Sequence, residues 1–166
     1  DITGLELELV ALLSKSLTLR FNGSYLDAKF ADFVTANTTF TPGVLENLRG
    51  NSLPNSPETQ ADFSLQYANE FESFDVETRV QVVYTDERWF NEFQEDIAYQ
   101  EATTVVNANA LFRLGDGDWT FNLWGRNLTD ETIISHVNVT SSAIGHARLA
   151  TLLPPRTFGA TVGYSF

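Results

Sequence analysis

The chain of 166 residues contains no cysteine and no methionine, and it has only two histidines. Without cysteine it can form neither disulfide bonds nor zinc sites with thiolate ligands. His136 and His146 match no HExxH motif or catalytic triad, so they are interpreted as exposed loop residues, with a metal-binding pair as the alternative. Asp116 and Asp118 are too close in sequence for a calcium loop and indicate a hairpin turn. The sequence therefore predicts no enzyme, no metal site and no cofactor.

Basic residues are also scarce, because 10 Lys and Arg stand against 22 Asp and Glu and give a net charge of −12. Nucleic acid is an unsuitable partner for such a chain, since no basic patch is available to neutralise phosphates. No apolar run approaches the roughly 18 residues of a transmembrane helix. That absence does not bear on barrel strands, whose alternating faces give each strand only a weak hydropathy signal.

What the chain does have is apolar and polar residues in alternation, which is typical of strands with two different faces. In the first segment Leu5, Leu7 and Leu9 face one way, while Glu6 and Glu8 face the other. The pattern returns in six further segments, at 17–25, 61–67, 74–84, 106–113, 119–126 and 157–166. Strands of about ten residues exceed the usual length in soluble sheets and match a tilted bilayer crossing. The predicted fold is all-β, an antiparallel meander of about seven long transmembrane strands.

Short and long connections alternate between these segments. The short ones lie at 14–16, 69–73 and 115–118, and the long ones at 30–57, 86–101 and 127–155. Long connections are uncommon inside compact soluble domains. Outer-membrane barrels have short periplasmic turns at one rim and long extracellular loops at the other. If the short turns are periplasmic, the seventh strand runs towards the periplasm and Phe166 lies there.

Aromatic residues near both strand ends predict the two girdles of a membrane barrel. The periplasmic girdle would contain Tyr67, Phe74, Trp119, Phe121 and Tyr164, and the outer girdle Tyr25, Phe63, Tyr84 and Phe158. The alternative is an ordinary sandwich core. Charged and amide side chains share the opposite face, which suits a wet lumen or the solvated face of a soluble sheet better than a dry core. Trp124 and Val83 interrupt this polar face, and either a bulge or a local contact in the lumen would explain them.

Aromatic residues also cluster in the second long connection, where they are candidates for contact with a ligand. Trp89, Phe90, Phe93 and Tyr99 would stack on a siderophore or a sugar, and Arg148 and Arg156 would meet an anionic ligand. The alternatives are loops that pack on each other or on lipopolysaccharide, and arginines that contact lipid phosphates.

Five stretches resemble patterns of one family. Residues 2–8 resemble its GxExE strand, and 25–30 its Y-x-D-A-x-Y/F strand end. Residues 50–58 resemble G-x-x-L-x-N-x-P-E, 125–131 resemble x-N-L-T/F-D, and 154–166 resemble the closing P-R-x-F strand that ends on Phe. In this order the chain is similar to the C-terminal barrel region of TonB-dependent receptors, the active transporters of iron–siderophore complexes, haem, cobalamin and some glycans.

The resemblance implies that 1–166 is a fragment of a 22-stranded outer-membrane barrel whose plug domain and earlier strands lie outside this sequence. It implies a role as barrel wall in TonB-energised uptake of a scarce ligand such as an iron–siderophore complex. The implied partners are outer-membrane lipid and lipopolysaccharide, TonB and the inner-membrane energising complex through the plug, and the assembly machinery. That machinery would recognise the terminal residues Phe158, Val162, Tyr164 and Phe166, which are otherwise plain girdle residues.

Two other functions remain open from the residues themselves. A passive porin or small structural outer-membrane barrel requires an even strand count, which one short strand within 34–48 would supply. A soluble β-sandwich binding module predicts expression in the aqueous phase without detergent.

Overall fold

The computed structural model describes residues 1–115 and 118–166. Asp116 and Gly117 of the predicted tight turn lie outside the described residues. Within this part of the chain no helix is long and apolar enough to cross a membrane. The helices found there are two 3₁₀ turns, Asp96–Ala98 and Ser142–Ile144.

The described residues also form thirteen strands. Their bounds are β1 Ile2–Leu12, β2 Leu17–Ala28, β3 Val34–Ala36, β4 Leu45–Asn47, β5 Thr59–Glu70, β6 Phe74–Thr85, β7 Arg88–Trp89, β8 Tyr99–Gln100, β9 Thr103–Leu114, β10 Trp119–Arg126, β11 Ile134–Val139, β12 Arg148–Leu152 and β13 Thr157–Tyr164. Seven of them form one sheet in the order β1-β2-β5-β6-β9-β10-β13. Each strand of that sheet pairs antiparallel with the next, so the predicted meander is confirmed. Its strands have 8–12 residues.

The register of the sheet collects the apolar residues on one face. Phe21 pairs with Leu9 on β1 and with Phe63 on β5, whereas the neighbouring Asn22 pairs with Glu8 and Asp62. Directly opposed side chains in an antiparallel pair point to the same face. The predicted alternation is therefore confirmed across the sheet.

Trp124 and Val83 lie on the polar face in unbroken register, opposite Asn109 and Asp62. A bulge is therefore the wrong explanation for them. The Trp124 ring lies against Gly159 of β13, where an added Cβ would come within 2.6 Å of Trp124 Cζ2. A local contact on the polar face accounts for this residue.

The apolar face of the sheet is exposed. Leu5 is 70% exposed, Val162 59% and Leu123 55%. A soluble sheet buries such a face, but the other sheets of the described residues are three two-stranded hairpins within the long connections. Within the described residues no second sheet covers the apolar face, so the arrangement does not match a β-sandwich.

The long connections contain the hairpins β3–β4, β7–β8 and β11–β12. The region 34–48, expected to hide one short strand, contains β3 and β4, which pair with each other and do not join the large sheet. The buried apolar cluster of Ala98, Ile134 and Val137 also lies in the long connections. The sheet therefore carries a compact group of loops at one end.

Candidate ligand site formed by the long connections

All three long connections lie at the same end of the sheet, because consecutive strands are antiparallel and short and long connections alternate. The first and second are joined where Asn51 Nδ2 donates to the Glu92 carbonyl at 3.0 Å. The second and third are joined where Gln100 Oε1 accepts from the buried Ile134 amide at 2.8 Å. The three connections therefore form one continuous structure.

Most of the predicted ligand-contacting residues hold this structure together. The rings of Trp89 and Tyr99 are 5.0 Å apart, and the Arg148 guanidinium donates to the Tyr99 carbonyl at 3.0 Å. Phe90 packs on the buried cluster of Ala98, Ile134 and Val137, and the Arg88 guanidinium lies 5.4 Å from its ring centre. These contacts match the alternative that the loops pack on each other.

Phe93 differs from the other four because it lines a cavity of about 290 Å³ between the three connections. Such a volume is near the lower limit of ordinary small-molecule sites. The lining residues are Ala36, Asn37, Thr38, Thr39, Phe40, Asn91, Glu92, Phe93, Glu95, Ala98, Val137, Asn138 and Val139.

The centre of the polar lining is Glu95, whose two carboxylate oxygens accept hydrogen bonds from two amides. Asn37 Nδ2 donates to one oxygen, and Asn91 Nδ2 donates to the other at 2.6 Å. Asn37 is itself only 3% exposed, and its Oδ1 accepts hydrogen bonds from the backbone amides of Thr39 and Phe40. The sequence analysis missed both residues, because their pairing joins positions 58 apart in the chain.

The second long connection is strongly acidic. It has a single basic residue, Arg88, and six carboxylates: Asp86, Glu87, Glu92, Glu95, Asp96 and Glu101. The hydrogen bond from the Tyr99 hydroxyl to Glu87 raises the pKa of Tyr99 to about 12. Burial lowers the pKa of Arg88 from its ordinary value. This composition favours ligands that are not anions.

The two histidines lie at different places in the third connection. His136 pairs with Thr151 within the hairpin, whereas His146 follows the second 3₁₀ turn and stacks on Phe40 with ring centres 4.7 Å apart. No group of three His, Asp or Glu side chains suited to a metal ion exists among the described residues. The alternative of a histidine metal pair gains no support from this arrangement.

The polar face of the sheet has its own cavity, of about 470 Å³, where β6, β9 and β10 adjoin. Arg79 and Arg126 line it, together with four amide side chains and Trp124. Elsewhere on this face amides and carboxylates bond across strands, as in Gln81 to Asp62 at 2.6 Å. Polar groups of this kind match the predicted lumen face.

The terminal strand displays its apolar residues outward. Phe158 is 77% exposed, and the exposed Tyr164 ring lies 4.7 Å from Trp119 and 6.3 Å from Phe166. Trp119, Tyr164 and Phe166 cluster at the end of the sheet that bears the short turns, where Phe71 and Phe74 also stack. The cluster fits one of the two predicted girdles.

Four of the family-like stretches meet in pairs at the end of the sheet that bears the long connections. Tyr25 donates to Glu58 at 2.8 Å, which joins the motif of 25–30 to that of 50–58. Arg156 forms an ion pair with Asp130 at 3.0 Å, which joins 125–131 to 154–166. Arg156, a candidate for contact with an anionic ligand or with lipid phosphate, thus has a protein partner in Asp130. The motifs mark the points where long connections begin and end.

An antiparallel meander with an exposed apolar face, a polar opposite face and long connections at one end is the arrangement of an outer-membrane β-barrel wall. The sequence profile of the family "TonB dependent receptor-like, beta-barrel" matches residues 1–128. The chain belongs to this family, whose members are outer-membrane transport receptors and not enzymes.

Solved structures with the same fold come from this class. The ferric yersiniabactin uptake receptor FyuA from Yersinia pestis has 18% identity and a TM-score of 0.78 over 98% of this chain. The siderophore receptor PiuA from Acinetobacter baumannii has 18% identity and a TM-score of 0.70 over 97% of this chain. The ferric preacinetobactin receptor BauA from the same organism has 16% identity and a TM-score of 0.66 over 99% of this chain. The chain spans 23%, 21% and 22% of these three receptors. No curated protein matches it.

Proposed function

We propose that this chain is part of the barrel wall of a receptor that imports an iron–siderophore complex with energy supplied through TonB. The observation that carries the proposal is the open cavity lined by three long connections at one end of a TonB-dependent receptor sheet. The three receptors of the same fold are named as receptors for ferric yersiniabactin, for a siderophore, and for ferric preacinetobactin. Their names support this ligand class.

In this proposal the chain forms the C-terminal strands of a 22-stranded barrel, with Phe166 in the periplasm and the long connections extracellular. The exposed apolar face then contacts lipid and lipopolysaccharide. A plug domain outside the present sequence fills the lumen and connects to TonB and the inner-membrane energising complex. Phe158, Val162, Tyr164 and Phe166 serve as the signal for the outer-membrane assembly machinery.

The test uses the complete receptor gene that contains this chain, deleted and then restored in its host under iron limitation. Uptake of siderophore-bound radioactive iron is measured with TonB present, with TonB deleted and after collapse of the proton gradient. Uptake that requires both the receptor and TonB is expected. Uptake that persists without TonB would indicate a passive pore, and uptake unaffected by the receptor deletion would refute the transport role.

A further inference from the structure

The polar face of the sheet has two arginines without a carboxylate partner. Arg79 and Arg126 line the cavity of about 470 Å³ on this face, and no aspartate or glutamate lines it with them. None of the three ion pairs in the described part of the chain includes either arginine. The residues opposite Arg79 are Gln66 and Asn109, and the residue opposite Arg126 on β13 is Thr157. Two positive charges thus border one cavity and have only amides and a hydroxyl opposite them.

The carboxylate nearest to Arg79 on this face along the chain is already engaged. Glu77 lies two residues before Arg79, but it forms an ion pair with Arg113 at 3.6 Å and accepts a hydrogen bond from Gln66 at 3.1 Å. The chain has 22 acidic residues against 10 basic ones, so acidic partners are not scarce. The charge of Arg79 and Arg126 is therefore a local excess, which a carboxylate from elsewhere would neutralise through strong, charge-assisted hydrogen bonds.

A second observation is independent of charge, because apolar side chains interrupt this polar face. Trp124 lines the same cavity, Leu111 lies opposite Asn122, and Val83 is paired with Val105. A water-filled pore needs no such lining, whereas tryptophan beside arginine is typical of the buried centres of protein contacts. A small anion in the cavity would leave the leucine and the valines uncovered. The face is therefore suited to contact with a protein segment.

The segment that can reach this face belongs to the rest of the receptor. The polar face of a closed membrane barrel points inward, and the lumen of 22-stranded transporters is plugged. The present chain spans 23% of the similar receptor FyuA, so most of a receptor of that size lies outside residues 1–166.

We propose that Arg79, Arg126 and Trp124, here called the arginine patch, form a docking surface for an acidic segment of the plug. The inference rests on the proposed function and specifies the charge and the position of one contact between the barrel wall and the plug. Aspartate or glutamate of that segment pairs with the two arginines, and an apolar part of it packs on Trp124.

The experiment uses the complete receptor in lipid vesicles, with Arg79 or Arg126 replaced by lysine. Each substitution keeps the positive charge and supplies an amine that a water-soluble carbodiimide couples to a carboxylate in direct contact. Mass spectrometry of the peptides then locates the coupled residues. At least one of Arg79→Lys and Arg126→Lys should form an amide cross-link to an aspartate or glutamate outside residues 1–166. The wild-type receptor should lack this cross-link, because the reagent does not couple guanidinium groups.

Arg113→Lys is the matched control, since Arg113 lies on the same face but has its carboxylate partner within the sheet. It should form its cross-link to Glu77. This reaction shows that the reagent reaches the polar face of the assembled barrel.

Three results would overturn the docking surface. The first is a set of cross-links from positions 79 and 126 to carboxylates within residues 1–166 only. The second is no cross-link from either position while the Arg113→Lys control reacts. The third is coupling only to citrate, added as a small carboxylate probe, which would assign the arginine patch to a small anion.

Cellular uptake separates these results from the proposed function. TonB-dependent uptake by a receptor that forms no such cross-link would refute the docking surface alone. The expected cross-link in a receptor that imports no siderophore-bound iron would support the docking surface and refute the transport role.

Discussion

At the residue scale, the contact between Trp124 and Gly159 explains how a large aromatic ring fits on a polar, hydrated face. The ring occupies the space that a side chain at position 159 would need, and the Arg126 guanidinium lies 5.8 Å from it. A glycine in mid-strand ordinarily weakens a sheet, but here it permits close approach of a neighbouring side chain. Trp124 thereby covers the junction of β10 and β13.

Replacing Gly159 with alanine should therefore destabilise the sheet. The new Cβ would come within 2.6 Å of Trp124 Cζ2, and overpacking of this kind costs roughly 1–3 kcal/mol. Urea unfolding of the complete receptor in lipid vesicles measures the change, with Thr161→Ala on the same face of β13 as control. Equal stability of the two variants would contradict the proposed contact.

Tyr99 gives a pH-dependent prediction. Its hydrogen bond to Glu87 raises the pKa from the ordinary 10.0 to about 12, so the folded state favours the protonated phenol. The stabilisation is complete below pH 10 and is lost as the pH rises towards 12. The ultraviolet absorbance of phenolate, taken as wild type minus Tyr99→Phe, should show one tyrosine that titrates near pH 12.

Glu87→Gln is the informative partner variant for Tyr99. It removes the charge that accepts the phenol hydrogen bond, so the titration of Tyr99 should shift back towards pH 10. A Tyr99 signal already near pH 10 in the wild-type protein would show that the hydrogen bond to Glu87 is absent in solution.

At the element scale, the seven long strands could be predicted from sequence because alternation is a local signal. Each segment shows its own two faces, and the register that joins Phe21 to Leu9 and Phe63 then follows from matching like faces. The packing of the long connections could not be predicted in this way. The Asn37–Glu95 pair and the burial of Phe90 depend on contacts between segments distant in sequence, which leave no periodic pattern.

The residues of the candidate site could be predicted from the sequence only in part, for the same reason. The aromatic residues of the second long connection were identifiable by composition, yet four of the five predicted contact residues pack within the loops and only Phe93 lines the cavity. Composition identifies residues suited to a ligand, but the fold decides which of them are already engaged by the protein. Amides such as Asn37 and Asn91 gave no comparable signal, because polar residues are ordinary in loops.

The terminal strand β13 leads to a prediction about assembly. Phe166 is fully exposed beyond the strand, next to the aromatic group of Trp119 and Tyr164. Phe166→Ser in the complete receptor should lower the amount of folded protein in the outer membrane several-fold, as judged by heat-modifiable mobility in gels. Phe71→Ser, an aromatic at the same end, should have a smaller effect, and equal effects would favour a plain girdle role.

At the scale of the whole molecule, the sheet has two unpaired edges, β1 and β13. Unpaired backbone groups are costly in lipid, so a membrane wall needs further strands at both edges. The three similar receptors, of which this chain spans 21–23%, show how large the surrounding barrel can be. Seven strands therefore act as a wall segment, and their function belongs to the complete barrel.

In the complete barrel the apolar face of this sheet should contact lipid, and the polar face should contact the lumen. The absence of cysteine from the chain makes a direct measurement practical, because single cysteines introduced along β5 from 62 to 67 can carry a spin label. In the complete receptor in bilayers, collisions with lipid-dissolved oxygen should peak at Phe63, Leu65 and Tyr67 and fall at the positions between them. Oxygen access without a period of two, or with its maxima at Asp62, Ser64 and Gln66, would contradict the account.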